Sequence, residues 1–436
     1  MLAELLRVAR SQPPARLADV ITDHAGPLGI RHVVVYLADL QERVLVPLPP
    51  EAGGDDPAGF APDLDDPGFA EQREPGVVRI EGTVAGLAYR KLTVVTAEDN
   101  QAAGELIRVG EPAHRHRMWL PLVDGNVRLG VLELTVEHLD EQVLQRCQLL
   151  AGVVALLVVS HGVYSDVFNQ LRRREPMRLS AEMVWAFIPG QTFATQDVVI
   201  CAAAEPVYRL GGDAYDFSIM NRLVHVSLFD AAGHDLMAGL VAAVGLASCR
   251  STRRAGGDLT DIAMLADGAI REHSSDWRFM TGLLLNLQTL TGQLEWVNCG
   301  HPPPLLLRRE RVVKELSGSP DPPMGLLGGA RPHVHHETLQ PGDRILCYTD
   351  GVTEARTPEG ELFGLDRLAD TIIRTTAAGM SAPEALRRLV HDLFSEEAGA
   401  TLADDATVLL IEWRPTTPAA SIQTTAQPLP TLPPCS

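Results

Sequence analysis

Several chemistries are closed to this 436-residue sequence because it lacks the residues they need. Its six cysteines (Cys147, Cys201, Cys249, Cys299, Cys347 and Cys435) are scattered, with no CxxC pair. That spacing excludes a thiolate zinc site and a disulfide framework, and it predicts reduced, mostly buried thiols in a cytoplasmic protein. Basic residues are outnumbered: 37 Lys and Arg against 56 Asp and Glu leave a formal charge of −19. This balance excludes a nucleic-acid partner, because phosphate backbones are bound by basic surface. A phosphorylated protein can still be met by a local patch. Long hydrophobic runs are missing too. The longest, 149–159, is too short to cross a hydrocarbon layer of about 30 Å, so no membrane span is expected. The N-terminal MLAELLRVARSQPPARL has no apolar core of a signal peptide.

What is present is an ordinary globular composition, 45% hydrophobic and 21% charged, in a chain long enough for two or three domains. Residues 1–160 read as one α/β domain. A short helix precedes the strand 32–37, a turn at 38–42 and a second strand, 44–48, which is a hairpin pattern. The segment EAGGDDPAGFAPDLDDPG is expected to be a solvated loop. GTVAGLAYR follows, then MWLPL, a turn and LGVLEL. This order of helix, hairpin, helix and closing hairpin resembles a GAF domain, a small-ligand sensor and dimerisation module. His114 and His116 alternate with Arg115 and Arg117 as an exposed basic face. The apolar run from Leu149 continues helically through Val163, Val167 and Leu171 to a basic triplet, and a second amphipathic helix occupies 177–188. This pair, within a linker at 161–191, is read as a dimer stalk without a long heptad repeat.

From about residue 192 the chain turns to β-runs separated by turns. Strands are predicted at 198–204, 224–229, 282–288, 293–298, 304–308, 312–316, 344–348 and 407–413, with helices at 258–273 and 382–396. The tail 415–436, rich in Thr and Pro, is expected to be disordered. Acids fall at strand edges in four places: Asp213 after a Gly-Gly, Asp230 after an apolar run, Asp350 after ILCYT, and Asp404–Asp405 before the last strand. Taken singly, each would ordinarily cap a helix or close an Asx turn. Together, with no His or Cys at ligand spacing, they point to hard cations, Mg²⁺ or Mn²⁺. Several carboxylates at one point repel unless neutralised, which favours two ions.

The motifs LGGDAYDF, FDAAGHDLMAGLVAA, FMTGLLLNLQTLTGQLEWVNCGHPPPLLL, PPMGLL, PGDRILCYTDGVTEAR, GELFG and DDATVLLI follow one another in this chain. In this order they resemble the PP2C-like SpoIIE/RsbU-type serine/threonine phosphatases, over roughly residues 180–413. The resemblance implies an α+β chain with an αββα sandwich at 192–414. It implies a dimetal centre held by Asp213, Asp230 (bridging), the Ala231 carbonyl, Asp350 and Asp404, with Asp405 the lesser member of its pair. Asp213 and Asp230 would carry the catalysis. It further implies hydrolysis of phosphoserine or phosphothreonine on a STAS-domain anti-anti-sigma protein, in a homodimer governed by the first domain.

Departures are few. The turn after Asp230 reads AAGHD rather than VSGHG, and Asp235 is read as a helix cap. The linker has Met183-Val184 where the family has an Ile-Gln. His301 is read as structural, and Tyr215 and Asp216 as packing residues. No basic residue is seen to grip the phosphate. Rival chemistries lack their signatures: no cysteine has an arginine six positions on, and DxDx[TV] is absent. A small-phosphoester hydrolase and a switched-off scaffold that binds a phosphoprotein stay open.

Overall fold

A computed structural model describes residues 2–9, 12–13, 16–48, 76–98, 116–125, 127–163, 165–273, 278–309, 311–319, 321–394, 402 and 404–415. The expected acidic loop, the Thr/Pro tail from 416, His114, Arg115 and Cys435 lie outside the described residues. In the first half, α1 (Leu2–Ala9) and α2 (Leu17–Ala25) lead to β1 (Ile30–Ala38) and β2 (Val44–Pro47). Then come β3 (Val78–Arg79), α3 (Val84–Lys91), β4 (Val95–Glu98), β5 (His116–Asp124), β6 (Val127–Val136) and α4 (Glu141–Gly162). The six strands form one antiparallel sheet in the order β3-β2-β1-β6-β5-β4. α1, α2 and α4 bury their apolar sides with one of its faces, in a core that includes Ile21, Leu37, Leu132, Leu150 and Val154.

Two differences from the sequence reading concern the helices after this sheet. The run at 149–159, expected to be too short to cross a membrane, belongs to the 22-residue α4, which by length and composition is apolar enough to do so. Its inner side, from Cys147 to His161, is packed in the core. The predicted continuation to Arg172 is broken: Ser165 accepts a hydrogen bond from the Val167 N–H and starts a separate helix, α5 (Asp166–Arg172). The next helix, α6 (Leu179–Phe187), is no free-standing stalk. Ala181 and Val184 are buried in the core of the second half, and the Trp185 indole donates to the Val207 carbonyl at 2.9 Å.

The second half contains β7 (Thr192–Ala194), β8 (Val198–Glu205), β9 (Asp213–Met220), β10 (Leu223–Ala231), α7 (Leu236–Arg254), α8 (Leu259–His273), β11 (Met280–Gln288) and β12 (Gln293–Cys299). It continues with β13 (Leu305–Leu307), β14 (Val312–Glu315), β15 (His335–Thr338), β16 (Arg344–Tyr348), α9 (Asp350–Glu354), α10 (Gly364–Ala377), α11 (Ala382–Phe394) and β17 (Ala406–Trp413). Two sheets result, β15-β12-β11-β10-β9 and β14-β13-β16-β17-β8-β7. This is an α+β chain with an αββα sandwich. α7 lies on β9 and β10, and α11 lies on β8 and β17.

Side-chain alternation explains why the second sheet is covered on both sides. In β17, Leu409, Ile411 and Trp413 join the core between the sheets, while Val408 and Leu410 join the core under α10 and α11. β8 divides in the same way, with Val198, Ile200 and Ala202 on one side and Val199 and Cys201 on the other. A strand apolar on both faces demands a helix layer outside as well as a sheet inside.

Candidate metal centre

Strand register brings the separate acids to one end of the sandwich. In the first sheet, Asp213 opens β9 and faces Asp230 near the end of β10 as a direct cross-strand partner. Like charges in that relation repel. In the second sheet, β16 and β17 are antiparallel neighbours with Tyr348 opposite Val408. The residues just after β16 and just before β17, Asp350 and Asp404–Asp405, therefore share an edge.

Two glycines let these edges close. A Cβ on Gly212 would lie 2.4 Å from the Ala231 carbonyl oxygen, and one on Gly351 would lie 1.9 Å from that of Asp405. Only glycine permits either approach. The Gly212 approach turns the Ala231 carbonyl toward the loop that carries Asp213.

Asp213 is 1% exposed, and Asp405 is also buried, whereas Asp350 and Asp404 reach solvent. Asp405 does a different job from the others. Its Oδ2 accepts three backbone N–H bonds, from Gly211 at 2.7 Å, Gly212 at 2.6 Å and Asp213 at 3.2 Å. It thereby shapes the loop leading into β9. Thr349, which the sequence reading passed over, donates its hydroxyl to Asp213 Oδ2 at 2.8 Å and accepts from the Thr407 N–H at 2.8 Å. It ties Asp213 of one sheet to the other sheet.

The electrostatics are those of uncompensated carboxylates. Burial first, then Asp230 and Asp405, hold Asp213 well above the usual carboxyl range. Burial, followed by Asp350, Asp404 and Asp405, pushes Asp230 up to about 7. Among the described residues no arginine or lysine is bonded to either. All the donors are oxygen, and charge from outside the protein is the remaining means of relieving their repulsion, so the residues fit hard divalent cations. Among the described residues no three acidic, His or Cys side chains stand close enough to close a metal shell by themselves.

The histidines divide. His301 is buried, its Nδ1 lies 2.8 Å from the Thr281 hydroxyl, and burial pulls its pKa down to about 3. It is a neutral core residue. His234 is exposed on the turn after Ala231. Asp235 caps α7, accepting from the Ala238 N–H at 2.9 Å, as expected. It is also bound by Arg278, which donates to Asp235 Oδ2 at 2.8 Å and to the Ala232 carbonyl at 3.0 Å. Arg278 thus brings a guanidinium to the turn beside the acids. The sequence shows no sign of it until Met280 is known to pair with Ala231. Tyr215 packs and donates to the Pro189 carbonyl at 3.3 Å, and Asp216 is held by Arg250 and Arg253.

These features have counterparts in known proteins. The model of the family described as Stage II sporulation protein E (SpoIIE) matches residues 221–414. That span holds Asp230, Asp350, Asp404 and Asp405 but begins after Asp213. The second half of the chain is thus similar to the SpoIIE-type, PP2C-like phosphatase domains. A curated relative, Protein IcfG of Synechocystis sp., is 29% identical over 153 residues, which is 35% of this chain and 24% of that protein. The chain therefore spans about a quarter of that relative's length. Among solved structures, the RsbU and RsbW domains of Rv1364c from Mycobacterium tuberculosis are 24% identical, covering 51% of this chain and 63% of that one, with a TM-score of 0.44. The SiaA-PP2C domain of Pseudomonas aeruginosa is 22% identical, covering 49% and 85%, with a TM-score of 0.41.

Proposed function

We propose that the chain is a metal-dependent serine/threonine protein phosphatase whose substrate is a phosphorylated STAS-domain anti-anti-sigma protein. One observation carries the reading. Strand register brings Asp213 and Asp230 of one sheet to the same end as Asp350 and Asp404 of the other, with no arginine or lysine bonded to Asp213 or Asp230 among the described residues, and all of these acids but Asp213 lie inside the stretch matched by the SpoIIE family. Asp213, Asp230, Asp350, Asp404 and the Ala231 carbonyl would hold two Mn²⁺ or Mg²⁺ ions, which when bound acidify a water and clamp a phosphate for in-line attack. Asp405 keeps the Gly211–Asp213 loop in shape and Thr349 fixes the orientation of Asp213. Arg278 holds the turn and offers positive charge beside the acids.

Residues 192–414 form the phosphatase unit in this reading, and 1–160 a GAF-like sensor and dimerisation unit, joined through 161–191. Homodimerisation is supported by the outer side of α4. There Leu149 and Leu156, with Val163 just beyond its end, recur every seven residues and are 59%, 57% and 83% exposed. A cytoplasmic location is supported by the five described cysteines, all buried and free.

The test is hydrolysis of p-nitrophenyl phosphate and of a phosphorylated STAS-domain protein, in Mn²⁺ and in EDTA. Turnover should need Mn²⁺ and disappear in Asp230→Ala and Asp350→Ala. Equal activity in EDTA would sink the metal mechanism, and turnover of the small ester alone would sink the substrate class. The second reading is a switched-off scaffold, and it draws on the absence, among the described residues, of any three acidic, His or Cys side chains grouped closely enough to hold a metal. It predicts binding of the phosphoprotein without turnover in any metal.

A further inference from the structure

The two halves meet along a chain of buried charges that the mechanism above does not use. Arg128, on β6, donates to Glu42 Oε2 at 2.8 Å and to Glu384 Oε2, on α11, at 2.9 Å. Its guanidinium also lies over the Tyr89 ring, 5.2 Å from the centroid. Glu384 is bound a second time by Arg387 at 2.9 Å. Arg387 reaches back to Glu81 of the first half, and Arg90 lies 3.3 Å from the same carboxylate. Arg128 and Arg387 side chains are each only 5% exposed. Buried pairs of this kind add little net stability, but they fix one pose, because any other leaves a charge unpaired.

The pose places the β1–β2 turn on the strand that leads to the carboxylate centre. Gln41, in that turn, donates to Glu205 Oε2 at 3.3 Å. The same oxygen accepts the Val207 N–H at 3.1 Å. Glu205 ends β8 directly opposite Ala406. Ala406 follows Asp405, whose carboxylate gathers the N–H groups of Gly211, Gly212 and Asp213. From Gln41 to Asp213 the path is one hydrogen bond, one ladder partner and one three-fold carboxylate contact. Beside it, between β8, α11 and the turn, a narrow cleft opens, lined among others by Gln41, Glu42, Arg128, Glu205 and Arg387. The Arg128 Nε within this region has no partner among the described residues.

We propose that this junction is an intramolecular clamp. Docking of the first half through Arg128, Glu384 and Arg387 holds β8 and the start of β17 so that Asp405 keeps the Gly211–Asp213 loop closed. A change in the first half is read at the carboxylate centre by loosening of that docking. Only its consequence for turnover rests on the phosphatase reading; the mechanical coupling does not.

The experiment uses the full chain and measures amide hydrogen exchange together with Mn²⁺ binding by calorimetry. Wild type is compared with Arg128→Leu, Glu384→Gln and Gln41→Ala. Peptides covering 131–136 report whether the first sheet is intact, those covering 383–390 report docking, and those covering 211–213 report the loop. Exchange at 211–213 should rise about tenfold or more in Arg128→Leu and Glu384→Gln, and less in Gln41→Ala, with 131–136 still protected. Mn²⁺ affinity should fall in the same order. Faster exchange at 383–390 with 211–213 unchanged would overturn the clamp. Should Arg128→Leu expose 131–136, the Glu384→Gln and Gln41→Ala comparison decides the matter. If wild type binds no Mn²⁺ while exchange follows the predicted order, the clamp stands and the metal reading falls.

Discussion

At the junction of the halves, Glu42, Glu81 and Glu384 each sit against an arginine. At the strand ends of the sandwich, Asp213 and Asp230 are raised by burial first and then by the neighbouring carboxylates, Asp350, Asp404 and Asp405 among them. Both groups contain acids drawn at least partly out of water, a situation that charged groups tolerate only when something offsets the desolvation. In the first the protein supplies the opposite charge itself, and the cluster becomes a way of fixing position. In the second, among the described residues, no arginine or lysine is bonded to Asp213 or Asp230, and the cluster is free to accept positive charge from outside. The chemistry of the carboxylate is the same in both. Whether a cation is built in decides the role.

The largest effect should come from removing an acid of the uncompensated group. Asp230→Ala should lower turnover in saturating Mn²⁺ by more than the ~10–100-fold that losing an outer partner of a metal site costs. An assay within that range would move Asp230 from ligand to support. Next, Arg128→Met should destabilise the chain by about 3–5 kcal/mol in urea titration, since it strands Glu42 without its cation and leaves Glu384 with Arg387 alone. Neutralising both acids together with the arginine should return much of that loss. If the triple variant is no better than the single one, packing on Tyr89 rather than charge accounts for Arg128.

The pH dependence tests the comparison more finely. In metal-free protein Asp230 is pushed up to about 7, against about 3.9 in an unfolded chain. The folded state takes up its proton first as pH falls, so this group adds stability between about 7 and about 4, by a few kcal/mol at most. His225 works the other way in the same window. Burial pulls it down to about 4, so its contribution is complete above about 6.5 and is lost as pH falls toward 4. The two are separated by Asp230→Asn, in which the acid-side gain in chemical-denaturation stability should vanish and the His225 loss remain. A gain that survives in the variant would remove Asp230 as its source. The smallest effect belongs to an exposed acid with neither fate. The Asp140 carboxylate accepts the Val143 N–H at 2.8 Å at the start of α4, and Asp140→Ala should cost about 1 kcal/mol in thermal or urea melts.

Dimerisation through α4 is tested alongside these. Leu156→Glu should shift the sedimentation of the full chain from dimer to monomer, and an unchanged dimer would send the search for the contact elsewhere.

Much of the molecule was readable in order along the chain. The apolar runs gave the strands at β8, β10, β11, β12, β16 and β17, and Asp235 could be read as a cap because a short acid before an apolar-periodic run has that local use. Some elements were missed, even where helical spacing was present, as in α10 with Leu368, Ile372 and Thr375 buried on one side. α10 was not foreseen, and β9 hid behind the polar DAYDFSIM. The supposed stalk failed for another reason. Helical spacing shows that a segment has an apolar side but not which core receives it, and α6 is received by the sandwich.

Sequence alone determined which residues could bind a hard cation, because oxygen donors at turn-forming positions are a property of residue type and local backbone. It could not determine that Asp405 would spend its carboxylate on three N–H groups, that Thr349 would bridge the sheets to Asp213, or that Arg278 would reach the turn after Asp230. Nor could it distinguish the acids of the junction from those of the centre. Each of these depends on residues tens to hundreds of positions apart meeting across strand register, and only the closed sandwich and its docked first half bring such partners within reach of a hydrogen bond.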